Sequence, residues 1–234
     1  MKLRIEVVAI DCLMVRLFDA IEEANMPWML AASQRLRDGF GANLIDLVPS
    51  YTTLMVHYDL LALSPQQARA LIAEAMVDLS PDAASAGRQH VLPVWYEPSV
   101  GPELALLAER SGLSVVEVIE RHSQREYQVF ALGFAPGFGF MGLVEEILAA
   151  PRIKTPRKRV PAGSVGIAER QTAVYPLQSP GGWNILGRTP AKLFDREIDG
   201  YSLLQPGDTV RFEPVDHAEF IRLGGDDSPL EALA

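Results

Sequence analysis

Leu3, Ile5 and Val7 alternate with Arg4 and Glu6, the period-two pattern of a half-buried strand over residues 3–8. "CLMVRLF", 12–18, predicts a second strand. Asn25 is then placed to cap a helix whose first turn holds Pro27 and which ends near Gly39. "NLIDLV" and "TTLMVHY" are two further strands, separated by the turn-like "PSY". Ser64-Pro65 supplies a cap followed by proline at the first helical position, and that helix is expected to run to about Leu79. The small, polar stretch 80–89 reads as a linker. The order ββαββα predicts two helices on one face of an antiparallel sheet, in α+β style.

The pattern restarts with the strand "HVLPVWY". A short helix follows, with Pro102 near its start and Gly112 past its end. Ser114 and Glu117 have the spacing of a capping box, with Leu113 and Val118 at the staple positions, so a helix carrying Val115, Ile119 and His122 is expected. "YQVFAL" is a strand. From Gly133 onward short strands alternate with Gly/Pro turns: "GSVGIA", "TAVYP", "WNILG", "DTVRFEPV" and "EFIRL". That grammar predicts a small barrel or sandwich. The expected organisation is an α+β domain over 1–80, a β domain over 90–225, and a frayed acidic tail over 226–234.

The chain has 234 residues and 48% hydrophobic residues, enough for a sizeable core. A net charge of −9 argues against a nucleic-acid binder. The single cysteine, Cys12, cannot form an internal disulfide, which suggests a cytoplasmic protein. The N-terminus shows no signal-like apolar region, and no run is long enough for a membrane span.

Candidate chemistry sits in the turn-rich half. "GFAPGFGFMG" places Phe134, Phe138 and Phe140 among glycines, either to wall a pocket or to plug the end of the barrel. "PRIKTPRKRVPAG" concentrates Arg152, Lys154, Arg157, Lys158 and Arg159 in an otherwise acidic chain. It is either a carboxylate or phosphate site or a solvated charged loop. "SPGGW" offers successive backbone amides for an anion, or forms a hairpin turn. Ser164 lacks the G-x-S-x-G elbow and reads as a turn residue. His122 is a packing residue or a proton-transfer group. His57, His90 and His217 have no companions at metal-ligand spacing, so no metal site is expected, and no phosphate-binding loop is present.

The order and spacing of "HSQREYQVFALGFAPGFGFMG", "PRIKTPRKRVPAGSVGIA", "QTAVYPLQSPGGWNILGRTP" and "LLQPGDTVRFEPV" closely resemble the family of KipI and the 5-oxoprolinase B subunit. That family is also known as allophanate hydrolase subunit 1 or carboxyltransferase subdomain proteins. The resemblance covers nearly the whole chain. It implies a ferredoxin-like-type α+β domain followed by a cyclophilin-like β-barrel. It also implies work alongside two other 5-oxoprolinase components, a KipA-like C subunit and a LamB/YcsF-type A subunit, opening 5-oxoproline to glutamate with ATP. The other family roles are half of a biotin-dependent urea carboxylase and inhibition of a histidine kinase. On this resemblance His122, Gln171 and Arg157 are the expected catalytic residues. Phe138, Arg152, Lys158, Gly163, Ser164, Tyr175, Ser179, Gly181, Gly182, Trp183 and Arg188 are the expected substrate contacts. Arg157→Ala is expected to abolish turnover without unfolding the chain. Two departures from the family pattern stand out: Glu169 and Ala173 replace glycines, and "FGFMGLVEEIL" replaces the usual "YLGGL" wording.

Overall fold

The computed structural model describes residues 3–81 and 87–230. The chain forms two compact units, Met1–Gly87 and Arg88–Ala234. Half of the expected linker, 82–86, lies outside the described residues, as do 231–234 of the expected tail.

In the first unit, β1 (Arg4–Ala9), β2 (Cys12–Arg16), β3 (Leu44–Ser50) and β4 (Thr53–Tyr58) form an antiparallel sheet in the order β1-β2-β4-β3. The alternation in the sequence chooses the face. Leu13 and Val15 on β2 and Leu54, Val56 and Tyr58 on β4 are buried. Met29, Leu36 and Phe40 of α1 (Met26–Phe40) and Ala68 and Ile72 of α2 (Pro65–Ala75) are buried as well. The Arg69 guanidinium of α2 reaches the Ile5 carbonyl of β1 at 3.2 Å. Ser64 caps α2 through a complete capping box with Gln67.

Two local expectations are corrected here. Asn25 does not cap α1 with its side chain; its amide donates to the Ala20 carbonyl at 2.9 Å, and a short 3-10 turn leads into the helix. Helix α2 stops at Ala75 rather than near Leu79. Arg35 on α1 collects the carbonyls of Ala75, Val77 and Asp78, and Asp78 turns the chain with φ 48°. A long cation from a neighbouring helix thus satisfies the orphan carbonyls and ends the helix early.

The second unit is built on seven strands: β5 (Gln89–Val94), β6 (Glu126–Leu132), β7 (Gly139–Gly142), β9 (Ser164–Ala168), β10 (Gln171–Val174), β12 (Asn184–Arg188) and β13 (Thr209–Pro214). They pair in the order β5-β13-β6-β7-β10-β9-β12, parallel only at β5–β13. The pairing closes on itself where Trp95, just after β5, exchanges two backbone hydrogen bonds with Arg188 at 2.9 and 3.0 Å. This single bridge brings the two outer strands, β5 and β12, together at one end. Val129, Met141, Val165, Ile167, Val174, Leu186, Val210 and Phe212 fill the interior. A separate ladder, β8 (Arg157–Val160) with β11 (Ser179–Gly181), carries the Gly/Pro-rich loops.

Helix α3 (Leu104–Ser111) ends at Gly112 with φ 67°. Helix α4 (Val115–Ser123) starts at Ser114 with both halves of its capping box in place. "EFIRL" is not a strand. It lies in and just after α5 (His217–Arg222), where the Asp216 carboxylate accepts from the Glu219 amide at 2.8 Å and Glu219 pairs with Arg222 one turn on. An N-cap and an i,i+3 ion pair outweigh the β-propensity of three apolar residues. The expected frayed tail is also corrected for the residues described. The Arg188 guanidinium donates to the carbonyls of Asp226 and Ser228, the Leu230 amide donates to Ser99, and Leu230 is buried.

Candidate functional site

The glycine–phenylalanine loop, the Pro-rich basic loop and "SPGGW" converge on one pocket of about 250 Å³. Its walls are Phe134, Phe138, Phe140, Tyr175 and Trp183, with Pro156, Pro180, Gly181 and Gly182 closing the side formed by the β8–β11 ladder. Phe138 is the hub: its ring meets Phe134, Phe140, Tyr175 and Trp183 edge-on at centroid distances of 4.9 to 5.7 Å. Such T-shaped contacts lock the rings and set the pocket's shape before any ligand arrives. Leu230 of the C-terminal segment packs into the same aromatic cluster.

One cation faces this apolar wall. Arg152 lines the pocket and is exposed, and it has no carboxylate partner among the described residues. In the same lining, burial raises the pKa of Tyr175. The backbone of Trp183 and the charges of Arg152 and Arg157 oppose that shift. The phenol therefore stays a neutral hydrogen-bond donor at ordinary pH. Gly181 is required beside it, because a Cβ there would lie 2.3 Å from the Tyr175 hydroxyl. The pocket thus offers a guanidinium, a phenol, backbone of the glycine pair and aromatic faces. Among the described residues, its lining includes no carboxylate, imidazole or thiol.

Six of the expected contact residues meet in this pocket: Phe138, Arg152, Tyr175, Gly181, Gly182 and Trp183. The others lie elsewhere. Arg157 is buried and bidentate to Glu103, at 3.2 and 2.5 Å. The same Glu103 carboxylate accepts the Ile185 amide at 2.8 Å. Arg157 is therefore a structural ion tying β8 to the start of α3 and to β12, with its terminal nitrogens committed. Lys158 points to solvent beside it.

His122 is also corrected. It is fully buried, stacked on Phe212 at 4.7 Å. Its Nδ1 pairs with the Tyr96 hydroxyl at 2.8 Å and its Nε2 with Thr172 Oγ1 at 2.9 Å. Thr172 in turn donates to the Gly166 carbonyl, so its oxygen accepts from His122 and the ring is the Nε2–H tautomer. Burial lowers the His122 pKa to about 3. It is a neutral bridge in the core, out of reach of the pocket.

Gln171 sits at the start of β10, opposite Gly142 and Ala168, outside the pocket lining. Gly163, with φ 79°, makes the turn into β9, where a Cβ would lie 2.2 Å from the Thr189 carbonyl. Ser164 is buried at the first position of β9, in register with Arg188, which holds the C-terminal segment. Ser179 is on β11, facing Val160 in register. Glu169 does occupy a left-handed position, φ 52°, at the β9–β10 turn, a conformation that costs a non-glycine residue about 1 kcal/mol. Ala173 is ordinary buried strand.

Sequence reading missed Pro156, Pro180 and, above all, Glu103. Nothing local marks Glu103; only its pairing with a residue far along the chain gives it a role.

Residues 3–204 match the family of the carboxyltransferase domain, subdomain C and D. The chain is 35% identical to the B subunit of 5-oxoprolinase from Bacillus subtilis (strain 168) over 227 residues, covering 93% of this chain and 95% of that one. It is 43% identical to the B subunit of 5-oxoprolinase from Escherichia coli O157:H7 over 190 residues, covering 80% and 84% respectively. The crystal structure of TTHA0988 superimposes with a TM-score of 0.77 at 37% identity, over 88% of this chain and 40% of that longer chain. The family match over most of the chain and the relatives at 35% and 43% identity show that the chain belongs to the carboxyltransferase domain, subdomain C and D family.

Proposed function

We propose that this chain is the B subunit of an ATP-dependent 5-oxoprolinase, which opens 5-oxo-L-proline to L-glutamate together with a KipA-like C subunit and a LamB/YcsF-type A subunit. The relatives that carry the name of the 5-oxoprolinase B subunit, matched over most of their length, motivate the reading. The observation that carries it is the pocket itself: five aromatic rings around a small space, with one guanidinium unpaired among the described residues. A five-membered lactam bearing a carboxylate has the matching parts. Its ring methylenes lie against Phe138 and Trp183, its carboxylate pairs with Arg152, and its amide meets Tyr175 and the glycine-pair backbone.

The volume lies below the roughly 300–1,000 Å³ usual for larger ligands, which suits a small amide and not a nucleotide. The described lining also holds no residue able to act as a general base or nucleophile. In this reading the chain binds and orients the lactam, and partner subunits supply ATP binding and the groups that add water across the ring C–N bond. The first unit corresponds to the ferredoxin-like-type domain and the second to the cyclophilin-like barrel; the pairing closed through Trp95 and Arg188 supports the latter. No described helix is long and apolar enough to cross a membrane, and we place the complex in the cytoplasm.

The test is reconstitution. The three subunits, co-expressed and purified together, are expected to release glutamate from 5-oxoproline only when ATP and this chain are both present. Equal turnover by the other two subunits without it would refute the assignment.

A further inference from the structure

The open face of the first unit's sheet carries a group of side chains with a chemistry unrelated to the pocket. Cys12 and His57 are directly opposed on β2 and β4, and Asp46 on β3 is opposed to His57 in the next register pair. Directly opposed residues share a face, so Cys12, His57 and Asp46 form one row across three adjacent strands. This is the face turned away from the helices, since Leu13, Val56 and Tyr58, which flank the row in sequence, are buried. Asp11, in the tight turn that leads into β2, folds its carboxylate back onto the row, with Oδ2 3.2 Å from His57 Nε2. The donor atoms of Asp11, Cys12 and His57 all lie within 4.8 Å of one another. The His57 and Asp11 side chains are each about a third exposed, at 31% and 35%, so solvent ions reach them.

We propose that Asp11, Cys12 and His57 form a binding site for a divalent transition metal of the zinc class, with Asp46 a further carboxylate opposed to His57 in register. A thiolate, an imidazole and a carboxylate are the donors such ions take together. Metal–ligand bonds of about 2.0–2.3 Å in tetrahedral geometry put donor atoms about 3.3–3.7 Å apart. Donor atoms within 4.8 Å of one another are close to that spacing, and rotation of the three side chains would bring them to it. Binding replaces the Cys12 thiol proton with the metal–sulfur bond, so a proton is released on loading. Three protein donors leave a fourth position for Asp46 or water. The site escapes sequence reading because its histidine is far from its cysteine along the chain. A search for metal-ligand spacing finds no companion for His57, and strand register alone supplies one.

The probe is Co²⁺ added to the full-length chain, followed by Zn²⁺. Cys12 is the sole cysteine, so a thiolate-to-cobalt charge-transfer band reports this site and no other. The expected result is a band that saturates at one equivalent and is displaced by Zn²⁺. Cys12→Ser should abolish it, and His57→Gln and Asp11→Asn should each weaken cobalt binding by about tenfold or more. Circular dichroism of the three variants, which alter different strands and a turn, establishes that each is folded. Absence of the band in the wild-type chain, or unchanged affinity in both folded His57→Gln and Asp11→Asn, overturns the proposal.

Discussion

Arg157 gives its terminal nitrogens to Glu103, and Glu103 also accepts the Ile185 amide, so three segments depend on one buried ion pair. Removing one member leaves an uncompensated charge in a dry site. Arg157→Ala is therefore expected to destabilise the chain by about 3–5 kcal/mol, read as a lower urea midpoint. The double substitution Arg157→Met with Glu103→Met should cost clearly less than the single one, because the stranded charge disappears with its partner. A single variant as stable as wild type would contradict the structural role assigned here. This geometry predicts a loss of stability where the sequence alone predicts loss of turnover without unfolding. His122 makes a second residue-scale prediction. Its pKa of about 3 in the folded chain lies below the ordinary value near 6.5, so the unfolded chain binds a proton that the folded chain refuses. Stability should fall as pH drops from about 6.5 toward 3, with this residue adding up to about 1.4 kcal/mol per pH unit. A folded His122→Gln variant should show a shallower acid slope in chemical denaturation; an identical slope would show that His122 is not the source.

The elements divide by how local their causes are. The Ser114 capping box, the Gly112 terminator and the alternation of β2 and β4 are legible in the sequence because each cause lies within a few residues of its effect. The stop of α2 is not, because Arg35 from another helix sets it. "EFIRL" misleads because its apolar residues suit a strand, while Asp216, just outside the quoted window, starts a helix. The pocket shows the same split. Phe138, Tyr175, Gly181 and Trp183 are readable as turn-loop residues, but whether Arg152 or Arg157 faces the cavity depends on Glu103, which carries no local mark. The C-terminal segment is the element whose role is least expected. Arg188 pins it through two carbonyls, and Leu230 packs behind the pocket's aromatic cluster. Truncation after Gly225 should cost about 2–4 kcal/mol, from the lost Leu230 burial and the bared Arg188 hydrogen bonds. Thermal unfolding of the truncated chain measures it; an unchanged midpoint would show that the segment is not part of the fold.

At the scale of the whole molecule, the second unit is a binding frame. It has a closed sheet, an aromatic cup on one ladder and a guanidinium at the cup, with no group able to drive hydrolysis within the described lining. In the function proposed above, recognition is assigned to this chain and the reaction chemistry to its partner subunits, as relatives named as B subunits of 5-oxoprolinase motivate. The claim rests most directly on Arg152. In the reconstituted complex, Arg152→Gln would remove the proposed charge-assisted contact to the substrate carboxylate while leaving the aromatic walls in place. The measurement is the steady-state kinetics of glutamate release over a range of 5-oxo-L-proline concentrations. KM is expected to rise by about 10–100-fold, the loss of about 1.4–2.7 kcal/mol of binding, with kcat little changed. An unchanged KM in a folded, assembled complex would mean that the substrate carboxylate is held elsewhere and that this pocket is not where the lactam binds.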